Sequence, residues 1–163
     1  MEQIIYFYGQ KGNFGCFSNF YPCKIVDNEI TFNCSEQYFM WRKAMLFDPE
    51  NQTFLKRLLE ETNPVQIKKF GRLVKNFNGK IWDQEKYSIM LRTQFLKFSQ
   101  NQELLDILLS TGDHILAEAS PVDNIWGIGM TASEAKTKTQ KYWKGLNLLG
   151  SALMETRKFL SVS

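Results

Sequence analysis

An α+β fold, mostly helical with a small β-sheet and closed as a single domain over residues 1–163, is what three features of this sequence predict. Long stretches repeat apolar residues at helical spacing. Short β-branched and aromatic runs occur near the start and again after Thr111. No linker, repeat or low-complexity segment divides the chain. Hydrophobic residues make up 44% and aromatics 14% of the sequence, enough to close a core without disulfide or metal staples and far from the composition of a disordered chain.

Taken in order, Ile4 to Tyr8 predicts a strand ending at Gly9. Gln10 to Pro22, QKGNFGCFSNFYP, mixes the turn formers Gly12, Asn13, Gly15 and Asn19 with Phe14, Phe17, Phe20 and Tyr21. Two readings are open for it, an Ω-like loop whose rings fill the core and a ligand-binding loop. Its glycines match neither GxGxxG nor GxxxxGK[ST], so no nucleotide fingerprint is present. Lys24 to Phe32 reads as a hairpin turning at Asp27-Asn28. Cys34 to Phe47, CSEQYFMWRKAMLF, predicts a helix apolar on most sides. Asp48-Pro49 and Asn63-Pro64 each offer an N-cap and a first-turn proline, for helices over Pro49 to Glu61 and Pro64 to Val74, the latter with Gln66 as capping-box partner. After a break at Asn76 to Gly79, Ile81 to Phe98 predicts a long helix headed by Trp82, and Gln102 to Leu109 another. His114 to Ala119 reads as a buried strand and Ser120 to Gly129 as a loop. Thr131 with Glu134 forms a capping box that predicts a helix over Ala132 to Trp143. Leu146 to Leu160 closes the chain as an amphipathic helix, with Leu146, Leu149, Leu153 and Leu160 inward and Gly150 permitting a close approach.

Composition excludes several function classes. A net charge of +3 is too mild to announce a polyanion partner, although it tolerates a phosphorylated ligand. Cys16, Cys23 and Cys34 lack CxxC spacing and His114 is the sole histidine, so neither a zinc site, a Cys/His pair nor a His/Asp/Ser triad is supported. No metal and no cofactor are expected. Met1 leads straight into IIYFYG without a leader-like apolar run, and no run of 18 apolar residues exists, so a cytosolic protein that does not cross a membrane is expected.

Charges inside the apolar helix draw attention first, because burying them is costly unless they are paired or used. Glu36 and Lys43 lie two turns apart and share a face around Phe39 and Met40. Glu36 reads either as a reactive carboxylate or as the capping-box partner of Asn33. Lys43 reads either as an amine whose pKa desolvation lowers, able to attack carbon, or as half of an ion pair. Glu118 and Asp123 flank a proline turn that can point both at one cavity, or they serve as a solvent-side strand residue and an Asx-turn cap. Trp82, Trp126 and Phe14 are planes for stacking on a base, or ordinary core. Lys136, Lys138, Lys141 and Lys144 form a solvated face or a mild polyanion surface.

Three blocks, GNFGCFSNFYP, SEQYFMWRKA and EASPVDNIWGIG, followed by GLNLLGSALMETR, resemble in order and spacing the NADAR family, also called YbiA-like, over nearly the whole chain. The resemblance implies an N-glycosidase that cleaves a ribose-to-nitrogen bond, either in phosphoribosylamino-pyrimidine intermediates of riboflavin synthesis or in ADP-ribosylated guanine. It implies a small ribosyl or ADP-ribosyl substrate, with ADP-ribosylated nucleic acid as a further partner. It carries over Glu36, Lys43 and Asp123 as catalytic residues, Trp82, Trp126 and Gly127 as substrate-binding ones, and Gly15, Phe17, Ser18, Asn19 and Phe20 as a ligand-facing loop, with Glu118 a further substrate-binding candidate. Met40 and Trp41 stand where many members have polar or small residues. The competing reading is a non-catalytic module that senses ADP-ribose or NAD.

Overall fold

The computed structural model describes residues 3–162. The chain forms two compact units: one is discontinuous, made of residues 1–18 and 102–163, and the other is the continuous stretch 19–101.

In the discontinuous unit the two expected strands, β1 (Ile4–Phe7) and β4 (Ile115–Glu118), pair with each other in parallel, from Ile4 opposite Ile115 to Phe7 opposite Glu118. The ladder is extended by Ile115 N–H donating to the Gln3 carbonyl at 2.9 Å and Ala119 N–H to that of Phe7 at 2.8 Å. His114 stands one residue ahead of β4, its Nδ1 2.8 Å from the Thr111 carbonyl. The helices α5 (Gln102–Ser110) and α7 (Leu148–Leu160) accompany this pair. α7 approaches β4 closely at Gly150, where a Cβ would stand 2.1 Å from the Leu116 carbonyl oxygen; only glycine fits, as the sequence leads one to expect.

Two expectations fail here. The helix foreseen over Ala132 to Trp143 is the single turn α6 (Ala132–Ala135), followed by turns and a 3-10 segment at Gln140–Tyr142. Its start signal is real, since Thr131 Oγ1 accepts the Glu134 N–H at 3.2 Å. Beyond Ala135, however, alternating lysines and threonines supply no apolar stripe to bury, and the turn does not propagate. Leu146, expected inward, is 66% exposed, because α7 starts only after Asn147 adopts a left-handed φ of 54°.

The continuous unit holds an antiparallel hairpin and four helices. β2 (Pro22–Asp27) and β3 (Ile30–Cys34) turn at Asn28 and Glu29, both at positive φ, one residue later than expected. The expected small sheet is thus two separate two-stranded sheets. α1 (Ser35–Phe47) follows directly and packs against α2 (Gln52–Glu60), α3 (Pro64–Gly71) and α4 (Gly79–Gln100). Asn51, not Asp48, caps α2, accepting the Phe54 N–H at 3.2 Å. Asn63 caps α3 as expected, with Pro64 in its first turn, and Asn78 caps α4. Gly71 lies against Met40 so closely that its Cβ would collide with the Met40 sulfur. Trp41 turns the other way, onto Phe32 of the hairpin. None of the helices among the described residues is long and apolar enough to cross a membrane.

Candidate active site

The helix α1 is surrounded on most sides because Tyr38, Phe39, Met40 and Ala44 leave it little polar surface, and the same burial encloses Glu36. Glu36 occupies the first turn, where the helix dipole favours a carboxylate. Its backbone N–H donates to the Asn19 carbonyl at 2.9 Å. Asn19 is itself anchored, its Oδ1 accepting from Gln94 Nε2 at 2.8 Å. The capping reading for Glu36 does not describe this helix. Gln37 closes it instead: Oε1 accepts the Asn33 N–H at 2.8 Å, and Nε2 donates to the carbonyls of Leu58 at 3.0 Å and Glu61 at 3.0 Å.

Two turns along, Lys43 sits in a cage of rings. Its Nζ is 4.8 Å from the centroid of Phe77 and 5.4 Å from that of Trp82. Trp82 is held by Phe39 at 5.2 Å and Phe47 at 6.3 Å, and Phe47 stands edge-on to Phe77 at 5.2 Å. Desolvation pushes the Lys43 pKa down; the charge of Glu36 opposes that shift and the charge of Arg72 adds to it. A half-buried amine with a lowered pKa, a carboxylate on the same helix face and two flat rings form a place for nucleophilic and acid–base chemistry. The structure thus groups Glu36, Lys43 and Trp82, with Asn19 beside Glu36. The ring of Phe20 lies under Lys68 Nζ at 5.9 Å.

In the other unit, Phe14 stacks on Phe17 at 5.5 Å, and Phe17 meets Phe7 edge-on at 5.5 Å, with Gly15 and Phe17 buried in a 3-10 turn that ends at Ser18. Phe17 is core, while Phe14 is half-buried, so both readings of the loop stay open. Asp123 Oδ1 accepts the N–H groups of Ile125 at 2.9 Å and Trp126 at 2.8 Å, so the Asx-turn cap is formed. Gly127 follows where a Cβ would stand 2.9 Å from the Glu118 carbonyl oxygen, and Ile128 N–H donates to that oxygen at 2.8 Å. Glu118, Asp123, Trp126 and Gly127 are therefore one knotted turn. Lys136, Lys138, Lys141 and Lys144 are exposed in the turns after α6. The three cysteines are free thiols, and burial pushes that of Cys34 up to about 11. No three of His, Cys, Asp or Glu gather as a metal site among the described residues.

The profile of the NADAR domain matches residues 6–161. The chain belongs to the NADAR family. Among its relatives is "N-glycosidase R617" of Acanthamoeba polyphaga mimivirus, 38% identical over 96% of each chain. A riboflavin biosynthesis protein of Vibrio vulnificus is 32% identical over 98% of this chain, which spans 39% of that longer protein. The NMR structure of Escherichia coli YbiA superposes with a TM-score of 0.79 at 30% identity, covering 99% of this chain and 86% of that one. The NADAR relationship agrees with the mostly helical α+β architecture.

Phe77 and Arg72 escaped the sequence reading of this NADAR chain. Phe77 stands in a polar break, NFNG, that reads as a turn, and only its contact with Lys43 gives it meaning. A signal for Arg72 did exist: between Glu61 and Asp83 every charged residue is basic.

Proposed function

We propose that Glu36 and Lys43 carry the N-glycosidase reaction of this chain on a small ribosyl substrate, with a phosphoribosylamino-pyrimidine as the favoured substrate. The single observation that carries the residue assignment is the position of Lys43 Nζ, lowered in pKa by burial and held between Phe77 and Trp82 on the helix face of Glu36. The riboflavin biosynthesis name of the Vibrio relative favours the pyrimidine over ADP-ribosylated guanine.

The neutral amine of Lys43 attacks C1′ of the ribose as the bond from C1′ to the base nitrogen breaks. The Glu36 carboxylate takes the proton that the amine sheds as it bonds to C1′ and passes it to the departing nitrogen. Ring opening places the electron pair of the amine into a C1′=Nζ imine and a proton on the ring oxygen. Water then adds to C1′, the amine leaves, and the sugar is released with the oxygen of that water. Trp82 and Phe77 offer flat faces for the base, as aromatic planes do for nucleobases. Asp123 serves by fixing the turn that carries Trp126 and Gly127, since one of its oxygens already holds two backbone N–H groups. Glu118 belongs to the same turn.

A turnover assay with both substrates, a phosphoribosylamino-pyrimidine and an ADP-ribosylated guanine, tests the reading. Base release from the pyrimidine is expected, and borohydride in the same mixture should trap a sugar adduct that Lys43→Ala abolishes. Full turnover by Lys43→Ala would reject the imine route. Binding without base release would reject the enzyme reading in favour of a sensing module, and faster release from the guanine would reassign the substrate.

A further inference from the structure

Residues 72–78 connect α3 to α4, and both ends of this connection are pinned to the part of α1 that carries Lys43. At one end Gly71 abuts Met40, one turn before Lys43. At the other, the ring of Phe77 covers Lys43 Nζ at 4.8 Å, and Asn76 Nδ2 donates to the Phe47 carbonyl at 3.4 Å while Asn76 takes a left-handed φ of 61°. The connection therefore passes beside the Lys43 amine, and Phe77 itself remains 49% exposed.

The charge of this segment is one-sided. Between Glu61 and Asp83 the sequence carries Lys68, Lys69, Arg72, Lys75 and Lys80 and no acidic residue, although the whole chain has a net charge of only +3. All five side chains are exposed. Arg72 directly follows the Gly71–Met40 contact, and its charge reaches Lys43. Placing a second cation beside an amine that must lose its proton helps deprotonation, and an exposed guanidinium brings five N–H donors to a ligand. In a ribosyl substrate the 5′-phosphate lies across the sugar ring from C1′, the carbon Lys43 attacks. A guanidinium binds such a phosphate through two parallel N–H···O bonds.

We propose that Arg72 is the anchor for the phosphate on the substrate's ribose 5′-oxygen, and so the residue by which this site prefers phosphorylated over unphosphorylated ribosides. The inference rests on Lys43 marking the reacting carbon, yet it can be read without chemistry. Ribose 5-phosphate should raise the melting temperature of the wild-type protein and of Lys43→Ala, ribose should not, and Arg72→Gln should lose the shift while Arg72→Lys keeps part of it. ADP-ribose in a parallel arm separates the two phosphate sources: a larger shift than with ribose 5-phosphate assigns a diphosphate, an equal one a monophosphate.

In turnover, Arg72→Gln should lower kcat/KM at least tenfold more for the phosphorylated riboside than for the phosphatase-treated one, with the extra loss chiefly in KM. Added salt should erode the wild-type preference and not that of the variant. An Arg72→Gln protein that keeps its ribose 5-phosphate shift, or that loses equally on both substrates, overturns the assignment. Full turnover by Lys43→Ala with the phosphate preference intact would overturn only the role given to Lys43.

Discussion

At Lys43 three influences compete, and their balance sets how the residue works. Burial and the Arg72 cation favour the neutral amine, while Glu36 favours the ammonium. The faces of Phe77 and Trp82 also favour the ammonium, since a cation over a ring is attracted by its quadrupole. Because the reactive form is neutral, activity should rise with pH through a Lys43 pKa below that of a free lysine. Phe77→Leu keeps the apolar cover and removes the quadrupole, so the amine loses its proton more easily. The acid limb of the kcat/KM profile should then move to lower pH by roughly half a unit, and Phe77→Tyr should restore it; a limb that stays put in Phe77→Leu rules out the cation–ring contact as a tuning element. The neighbouring pair Glu36 and Gln37 separates chemistry from folding. Glu36→Gln should lower kcat about a hundredfold or more with little change in melting temperature. Gln37→Ala should do the reverse, costing roughly 2–4 kcal/mol by stranding the groups that its buried amide now satisfies. Equal losses of stability in the two variants would return Glu36 to a structural role.

Among the elements, those with punctuation in their own residues are readable from sequence, and those completed by distant partners are not. Asn63-Pro64 and Thr131-x-x-Glu134 each start a helix where expected. A start signal does not set a length, and α6 stops after one turn for want of an apolar face. The chemistry-bearing helix is legible because charges in an apolar run stand out, whereas Phe77 and Arg72 gain their meaning only from how the α3–α4 connection folds back on α1. Asn147 is the clearest case of what spacing cannot reveal. Its side chain acts as a strand edge: Oδ1 accepts the Glu118 N–H at 3.1 Å and Nδ2 donates to the Leu116 carbonyl at 2.9 Å. Its own N–H donates to the Gly127 carbonyl at 3.0 Å, which ties the Asp123 turn to the start of α7. Asn147→Ala strands two backbone groups of β4 and should cost roughly 2–4 kcal/mol in denaturant unfolding, with Asn147→Asp, which keeps the acceptor, losing less. Equal stability of wild type and Asn147→Ala would show that water takes over both bonds.

Over the whole chain, the helix with Glu36 and Lys43 lies in the continuous unit, while the discontinuous unit is assembled from both ends of the sequence. That assembly depends on one parallel pairing. β1 is the sheet partner of β4, and strands in parallel require a long crossover connection, here one that includes the entire continuous unit. No local signal can announce such a pairing, because the alternation within Ile4–Phe7 and within Ile115–Glu118 says that each is a strand and not which strand it joins. The energetic consequence is uneven. β4 carries the buried residues Leu116 and Ala117, and removing β1 breaks its ladder bonds and opens that edge of a buried strand to solvent. A chain shortened to begin at Gly9 should therefore lose the cooperative unfolding transition of the discontinuous unit, although it gives up only a few apolar side chains. Calorimetry of the shortened chain checks this: an unchanged melting temperature would mean that α7 and Asn147 suffice to hold β4. Near-ultraviolet signals of Trp41 and Trp82, read in a chain with Trp126 and Trp143 replaced by Phe, would then show whether the scaffold of Lys43 survives when the other unit is lost.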